Sequence, residues 1–186
     1  DWIEIAPSEG GSGYDLQISD NGNGNNINNS TKYVQLPFDF IFYGISYDEI
    51  SVSSNGWISF GHTNMESFRN YTIPGAGGPS PMVAAFWDDL VTSQGEVYAL
   101  VEDEFVIIQW HQMRTYDQNS EETFQVILYD STTPTGDDEI KIQYKEVNNT
   151  SYTNYYHPVY STVGIENHLG SIGLEYTYDN TYPITA

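Results

Sequence analysis

The chain contains no cysteine. This absence excludes disulfide bonds, a thiolate nucleophile and cysteine-ligated zinc or iron–sulfur sites. It does not define the compartment, because many secreted bacterial domains lack disulfides. Apolar runs are also short, and none approaches the roughly 20 residues that a membrane-spanning helix requires. We therefore expect no membrane insertion, and the lack of a signal peptide indicates a mature chain or an excised segment of one.

Basic residues are also scarce in this chain. Lys and Arg together number 5 against 26 Asp and Glu residues, which gives a formal net charge of -21. Nucleic acids and anionic membranes both attract basic patches, so neither is an expected partner. Such a charge has two ordinary explanations. One is solubility in salty or extracellular settings, and the other is neutralisation by bound cations such as calcium.

Aromatic residues are abundant, with 16 Tyr, 8 Phe and 4 Trp, and they suit half-buried pleated surfaces. Alternating apolar runs separated by Gly, Pro and Asn clusters predict roughly ten to twelve short strands. The predicted fold class is all-β, a two-sheet antiparallel β-sandwich of jelly-roll-like type. We expect at most one short helix, within His62–Tyr71. Residues 1–186 are expected to form a single sandwich domain, with 178–186 as an exit linker.

The stretch Leu36–Gly61 contains the clearest strand pattern. Five apolar residues share one parity and are predicted to line one face of a strand: Val34, Leu36, Phe38, Phe40 and Phe42. Pro37 interrupts this run, which favours an edge strand or a bulge.

The Asn55-Gly56 pair between two apolar runs predicts a hairpin. A two-residue loop would place Val52 and Ile58 on opposite faces of the sheet. A three-residue loop, Ser54–Gly56, pairs them on the same face, so the second register buries more apolar surface. We therefore predict the three-residue loop, with Gly56 in the left-handed region as a G1 bulge.

A calcium site is the strongest chemical candidate. Hard cations prefer carboxylate, amide and carbonyl oxygens, which the loop from Asp20 to Asn26 supplies at close spacing. Asp88 and Asp89, at the end of a predicted strand, add two carboxylates. The loop does not fit an EF-hand, and an ordinary turn loop is the alternative. The predicted metal ligands are Asp20, Asn21, Asn23, Asn25, Asp88 and Asp89.

A tyrosine-rich loop is the second candidate site. Flat aromatic faces beside polar groups suit sugar rings and protein interfaces. The alternative is a loop that its tyrosines pin to the sheet. The predicted ligand-binding residues are Tyr152, Tyr155, Tyr156 and His157. A further acidic run, Asp137-Asp138-Glu139, is predicted to be a solvated hairpin tip.

Sequence motifs for catalysis are missing. The four histidines have no zinc-protease spacing, and no Gly-x-Ser-x-Gly elbow occurs. A pair of acidic residues suited to glycoside hydrolysis is not informative here, because so acidic a chain always contains some such pair. We therefore assign no catalytic residue and expect no enzyme. A hydrolase with acidic residues at the rim of the sandwich is the less favoured alternative.

Three segments together resemble a known kind of module: Leu36–Gly44, Ser51–Gly61 and Ala84–Leu90. They resemble a β-sandwich accessory module of large secreted bacterial proteins, notably gingipain-like and subtilisin-like peptidases. The pattern is also similar to the NIDO domain of extracellular matrix and adhesion proteins. The resemblance implies an extracellular accessory or adhesion-type module. It carries over no catalytic residue, and the cysteine nucleophile of gingipain-like peptidases is absent.

These observations predict a non-catalytic extracellular binding module of a larger secreted or cell-surface bacterial protein, stabilised by calcium. Its expected partners are a glycan or a cell-surface protein, together with neighbouring domains of the same chain. The runner-up function is a carbohydrate-binding module that uses surface tyrosines.

Overall fold

The structure, a computed structural model, describes residues 1–22, 31–116, 120–132, 134, 136–149 and 160–179. One short 3-10 helix, η1, spans Pro7–Glu9. The strands in chain order are β1 (Tyr14–Asp15), β2 (Thr31–Phe42), β3 (Ile45–Ser53), β4 (Trp57–Phe60), β5 (Met82–Trp87), β6 (Leu90–Val91), β7 (Glu96–Glu102), β8 (Phe105–Thr115), β9 (Glu121–Thr132), β10 (Asp138–Glu146), β11 (Thr162–Glu166) and β12 (Gly173–Thr177).

These strands form two antiparallel sheets. Sheet A has the order β1-β7-β8-β9-β10, with β6 also paired to β8, and sheet B has the order β12-β11-β5-β4-β3-β2. The predicted all-β, two-sheet sandwich is therefore confirmed. Successive strands mostly stay within one sheet, so the likeness to a jelly roll is limited to its two-layer architecture.

The core lies between the inner faces of the two sheets. In β2 the predicted alternation holds, since Val34, Leu36, Phe40 and Phe42 are buried and Phe38 is partly buried. The β2–β3 register is irregular between Gln35 and Phe40, the stretch that contains Pro37. Because β2 is also the edge of sheet B, the proline avoids a central ladder position. The opposite wall comes from sheet A, where the central strand β8 is buried on both faces from Val106 to Trp110.

The hairpin between β3 and β4 adopts the predicted register. Val52 lies opposite Ile58, and Ile50 lies opposite Phe60. All four of these side chains are buried. Gly56 has a φ of 75°, which is the left-handed conformation that the three-residue loop requires.

The N-terminal segment covers the outer face of sheet A. We name residues 1–6 the N-terminal strap. The short segment Trp2–Ile5 has a sequence typical of a strand, but the prediction of a strand there is wrong, because the strap forms no ladder. Glutamine side chains replace the ladder: Gln125 Nε2 donates to the Ile3 carbonyl at 3.0 Å, and Gln109 Oε1 accepts the Ile5 N–H at 3.3 Å. Ile5 is fully buried in a second apolar cluster on this outer face.

The segment between β4 and β5 contains no helix, so the predicted short helix within His62–Tyr71 is wrong. The indole N–H groups of Trp57 and Trp87 donate to the carbonyl of Ser67, at 3.2 Å and 2.7 Å. A carbonyl that accepts hydrogen bonds from two indole groups of the sheet points towards the sheet and not along a helix axis. Tertiary contacts therefore outweigh the local helix tendency.

Candidate functional site: a buried carboxylate cluster at the rim of the sandwich

Asp20 is the residue on which the candidate site is built. It follows a segment that runs beside sheet A, and its main chain is tied to Thr92, just after β6. The Asp20 N–H donates to Thr92 Oγ1 at 2.9 Å, and the Thr92 N–H donates to the Asp20 carbonyl at 2.9 Å. Only 2% of Asp20 is exposed. The residue is thus a fixed part of the rim.

Within the described part of the chain, the carboxylate of Asp20 accepts three hydrogen bonds, all from neutral donors. Oδ1 accepts the Gly22 N–H at 2.8 Å. Oδ2 accepts the Ser54 hydroxyl at 2.7 Å and the Asn55 side-chain amide at 3.4 Å. A carboxylate offers about four lone-pair positions. Donors from the described residues therefore occupy three of these positions.

Asn55 is the centre of the hydrogen-bond network. Besides Asp20, its side-chain amide donates to the Glu66 carbonyl at 2.9 Å, and its Oδ1 accepts the Leu90 N–H at 3.0 Å. Its main-chain carbonyl accepts the Asp88 N–H at 3.4 Å. Asn55 is fully buried, so this hairpin turn plugs the rim of the sandwich and joins three separate segments of the chain.

Gly56 holds this turn against β5. Its carbonyl accepts the N–H groups of Ala85 and Phe86 at 3.0 Å and 2.9 Å. A Cβ atom added to Gly56 would lie 1.8 Å from the Phe86 carbonyl oxygen. The glycine is therefore required by close backbone approach as well as by its left-handed φ.

Asp88 and Asp89 reach the same network from the end of β5. Each is only 1% exposed. Asp88 Oδ1 accepts the Asp89 N–H at 2.8 Å, and the Asp89 carbonyl accepts the Tyr116 N–H at 2.9 Å. The Tyr116 ring packs on Gly22, where an added Cβ would lie 2.1 Å from a ring carbon. Asp20 and the Asp88–Asp89 pair are thus linked from both sides.

We name Asp20, Ser54, Asn55, Asp88 and Asp89 the rim cluster. Of the predicted metal ligands, the structure brings together Asp20, Asp88 and Asp89 within this network. Asn21 is exposed. Asn23 and Asn25 lie outside the described residues. Sequence reasoning had found these acids from their types and from their place at a strand end, which is where a sandwich presents its rim.

Chemically, the rim cluster is a set of oxygen donors that suits hard cations. Among the described residues, no three Asp, Glu or His side chains form a group able to hold a metal ion by themselves. Any cation at the rim would therefore need hydroxyl, amide or main-chain oxygens as additional ligands.

Sequence reasoning missed Ser54 and Asn55 as members of the site, because it assigned Asn55 only to a hairpin turn. One available signal was the run Ser53-Ser54-Asn55, three polar residues between two strands that are otherwise apolar on one face. All three are buried, and a buried polar run is informative because each of its groups needs a partner.

The other candidate sites have different outcomes. Tyr152, Tyr155, Tyr156 and His157 lie outside the described residues, so their role stays a prediction.

The run Asp137–Glu139 was predicted to be a solvated tip, which is wrong for Asp138. Its exposure is 8%, and its Oδ2 accepts the Ile41 N–H at 2.6 Å. The Asp137 carboxylate accepts the Gly44 N–H at 2.7 Å. These carboxylates tie the start of β10 to the end of β2, because main-chain N–H groups at the edge of a sheet need acceptors.

Comparisons with known proteins give one result. A family model described as NIDO related matches residues 14–186. Comparisons with curated proteins and with solved structures find no significant match. Within the part of the chain that the structure describes, no helix is long and apolar enough to cross a membrane.

The family match covers both sheets and the rim cluster, and it begins after the N-terminal strap. It confirms the NIDO-like part of the resemblance, and the attribution to modules of gingipain-like or subtilisin-like peptidases stays a prediction. The chain belongs to the NIDO-related family, whose members are non-catalytic modules of a typically extracellular type.

Proposed function

We propose that this chain is a non-catalytic extracellular accessory module with an adhesion-type binding role in a larger secreted or cell-surface protein. We further propose that calcium at the rim cluster stabilises it. Membership of the NIDO-related family supports the accessory role. The observation that carries the calcium proposal is the buried network in which Asn55 bonds to the Asp20 carboxylate and to the main chain of Asp88, with Asp89 next in the chain.

The energetic argument concerns buried negative charge. The three carboxylates are each at most 2% exposed, and an ionised carboxylate removed from water is costly unless it is paired and hydrogen-bonded. Neutral donors compensate part of this cost at Asp20, as its three hydrogen bonds indicate. Neutral donors, however, do not offset negative charge. A divalent cation would do so, and oxygen ligands are those that calcium prefers.

The same contacts limit the affinity that we expect. The Asp20 carboxylate already accepts three hydrogen bonds from described residues, and Asn55 Oδ1 accepts the Leu90 N–H. A cation bound here would share its ligands with the hydrogen-bond network. We therefore expect a dissociation constant of about 0.1–1 mM, the range of extracellular calcium modules.

The test is a comparison of thermal unfolding in calcium and in a chelator. At a calcium concentration of about 100 times the dissociation constant, ligand linkage adds about 2.7 kcal/mol to the free energy of unfolding. For a chain of this size, that corresponds to a rise in melting temperature of about 5–10 °C. Magnesium is expected to have a smaller effect, because it demands stricter octahedral geometry.

Near-isosteric variants locate the effect. Asp88→Asn and Asp89→Asn should each reduce the calcium-dependent rise, whereas Asp103→Asn, at an exposed turn, should leave it unchanged. Terbium luminescence excited through nearby aromatic rings gives a second readout that does not depend on unfolding. Equal melting temperatures in calcium and in chelator for the unmodified chain would refute the calcium proposal.

A further inference from the structure

An apolar groove opens along one side of the sandwich, where β10 of sheet A faces β11 and β12 of sheet B. Its volume is about 430 Å³. We name it the edge groove, and its apolar lining comes mainly from Ile140, Ile142, Val163, Ile165, Leu174 and Tyr176. These side chains belong to core-facing positions of a sandwich, yet here the two sheets leave the space between them open.

The apolar surface at this groove is unusually exposed. Leu174 is 65% exposed and Tyr176 is 58% exposed, and the preceding segment of the chain includes Ile172 at 61% and Leu169 at 71%. These four are the most exposed large apolar side chains among the described residues. Single exposed apolar residues are common, but a contiguous group marks an interaction site.

Open backbone edges flank the same groove. In the described part of the chain, β12 pairs as a strand with β11 and β10 pairs with β9, and each is the last strand of its sheet. An edge strand presents unpaired N–H and C=O groups that accept another extended chain. β12 has five residues, a length of about 17 Å at the usual rise of a strand.

The floor of the groove is preformed. The Tyr144 ring lies between the sheets, and its hydroxyl donates to the Ala85 carbonyl at 2.6 Å. Burial raises the pKa of the Tyr144 hydroxyl, so this group stays neutral and keeps its bond at physiological pH. An occupant would therefore meet an apolar floor whose tyrosine is already held by a hydrogen bond, which lowers the ordering cost of binding.

The charges around the groove select the kind of occupant. Carboxylates bracket its strands: Asp137, which is half-buried, precedes β10, and the exposed Glu146 and Asp179 lie at the end of β10 and just after β12. A second copy of this chain would bring the same acids and a further formal charge of -21. A segment with basic residues at its ends is complementary to this surface, and complementary charge favours encounter and suppresses wrong partners.

We propose that the edge groove docks one extended strand of a partner protein, with apolar residues on the face that fills the groove and basic residues at both ends. Main-chain hydrogen bonds to an open strand edge supply the recognition, as in β-strand addition. This inference rests on the proposed role as a binding module. It does not depend on calcium, because the rim cluster contributes no residue to the groove.

The experiment uses the full chain and a synthetic probe. The probe is a peptide of alternating valine and threonine with two lysines at each end, and its binding is measured by amide chemical shifts and by calorimetry. We expect saturable binding, with shifts concentrated in β10, β11 and β12. Methylation of alternate backbone nitrogens in the peptide should weaken binding by about tenfold or more, because it removes one edge of the ladder. Replacement of the lysines by glutamates should weaken it similarly.

Protein variants separate the groove from the general apolar surface. Leu174→Asp should reduce affinity by about tenfold or more, whereas Leu169→Asp, a more exposed residue outside the groove lining, should have little effect. Neither exposed position is expected to alter folding much, and thermal unfolding of each variant checks this.

Three outcomes would overturn the inference: no binding of the lysine-ended peptide, equal binding of the methylated peptide, or equal binding to the Leu174→Asp variant. Sedimentation of the unmodified chain as a dimer that Leu174→Asp dissociates would instead identify a second copy as the occupant. The peptide titration is repeated in chelator to separate the two proposals. Peptide binding that persists in chelator supports the edge groove even where the calcium proposal fails.

Discussion

Gly56 offers the sharpest test of how the hairpin supports the rim cluster. Gly56 and Gly44 have nearly the same backbone conformation, with φ of 75° and 73°. They differ in their surroundings. A Cβ on Gly56 would lie 1.8 Å from the Phe86 carbonyl oxygen, whereas a Cβ on Gly44 would meet nothing within 4 Å. Gly44→Ala is therefore a matched control for the conformational part of Gly56→Ala.

The losses of stability caused by the two substitutions should differ by the cost of moving the hairpin away from β5. A left-handed conformation costs an alanine about 1–2 kcal/mol, and this is the full expected effect at Gly44. At Gly56 the same cost applies, and overpacking adds about 1–3 kcal/mol. Loss of the hydrogen bonds from Ala85 and Phe86 to the Gly56 carbonyl adds about 1 kcal/mol or more. We expect Gly56→Ala to lower the free energy of unfolding by about 3–6 kcal/mol, the upper end of single-substitution effects.

The assay is urea unfolding followed by tryptophan fluorescence, since Trp57, Trp87 and Trp110 are all buried. The slope against denaturant should be the same for both variants, so that the midpoints report stability. If calcium binds at the rim, Gly56→Ala should also reduce the calcium-dependent stabilisation, because the shifted turn carries Asn55. Equal losses of stability in Gly56→Ala and Gly44→Ala would refute the argument from close approach.

Three further predictions concern individual polar contacts. Burial opposes the charge of Glu4, but hydrogen bonds from Lys145, from Gln109 and from neighbours in the N-terminal strap lower its pKa from 4.5 to about 2. Its contribution to stability should therefore be complete above about pH 4.5 and be lost as the pH falls towards 2, and Glu4→Gln should flatten this part of the stability–pH curve. Asp138→Ala should cost about 1.5–3 kcal/mol in urea unfolding, because it removes a charged acceptor from the main chain of β2. An unchanged midpoint would contradict that role. Tyr144→Phe should cost about 1 kcal/mol, since only its hydroxyl bond is lost, and hydrogen exchange at the neighbouring strand should rise if the floor of the groove loosens.

Much of the scaffold follows from local pattern. The alternation in β2 and the Asn55-Gly56 turn predicted both the buried face and the register, because a shift of one residue would have exposed Val52 or Ile58. The all-β class follows in the same way from short apolar runs between turn residues. Such signals are local, so they can be interpreted from the sequence without knowledge of the partner strands.

Other features depended on distant residues. Trp2–Ile5 has the alternation of a strand, but glutamines from β8 and β9 satisfy its backbone in place of a ladder. The stretch around Ser67 has residues compatible with a helix, yet two indoles from other strands capture its carbonyl. In both segments a tertiary hydrogen bond competes successfully with a weak local preference.

The sequence by itself determined the sandwich class, the hairpin register and the acidic residues that form the rim, because these depend on residue type and on spacing along one strand. Tertiary structure alone decided that Asn55 joins Asp20 to the main chain of Asp88, since these segments lie far apart in the chain. It also decided that Gly56 must lack a side chain on account of Phe86, and that β10 and β12 leave an apolar groove open. The physical reason is the same in each case: burial and hydrogen-bond partners are properties of neighbours in space, which a periodic pattern does not record.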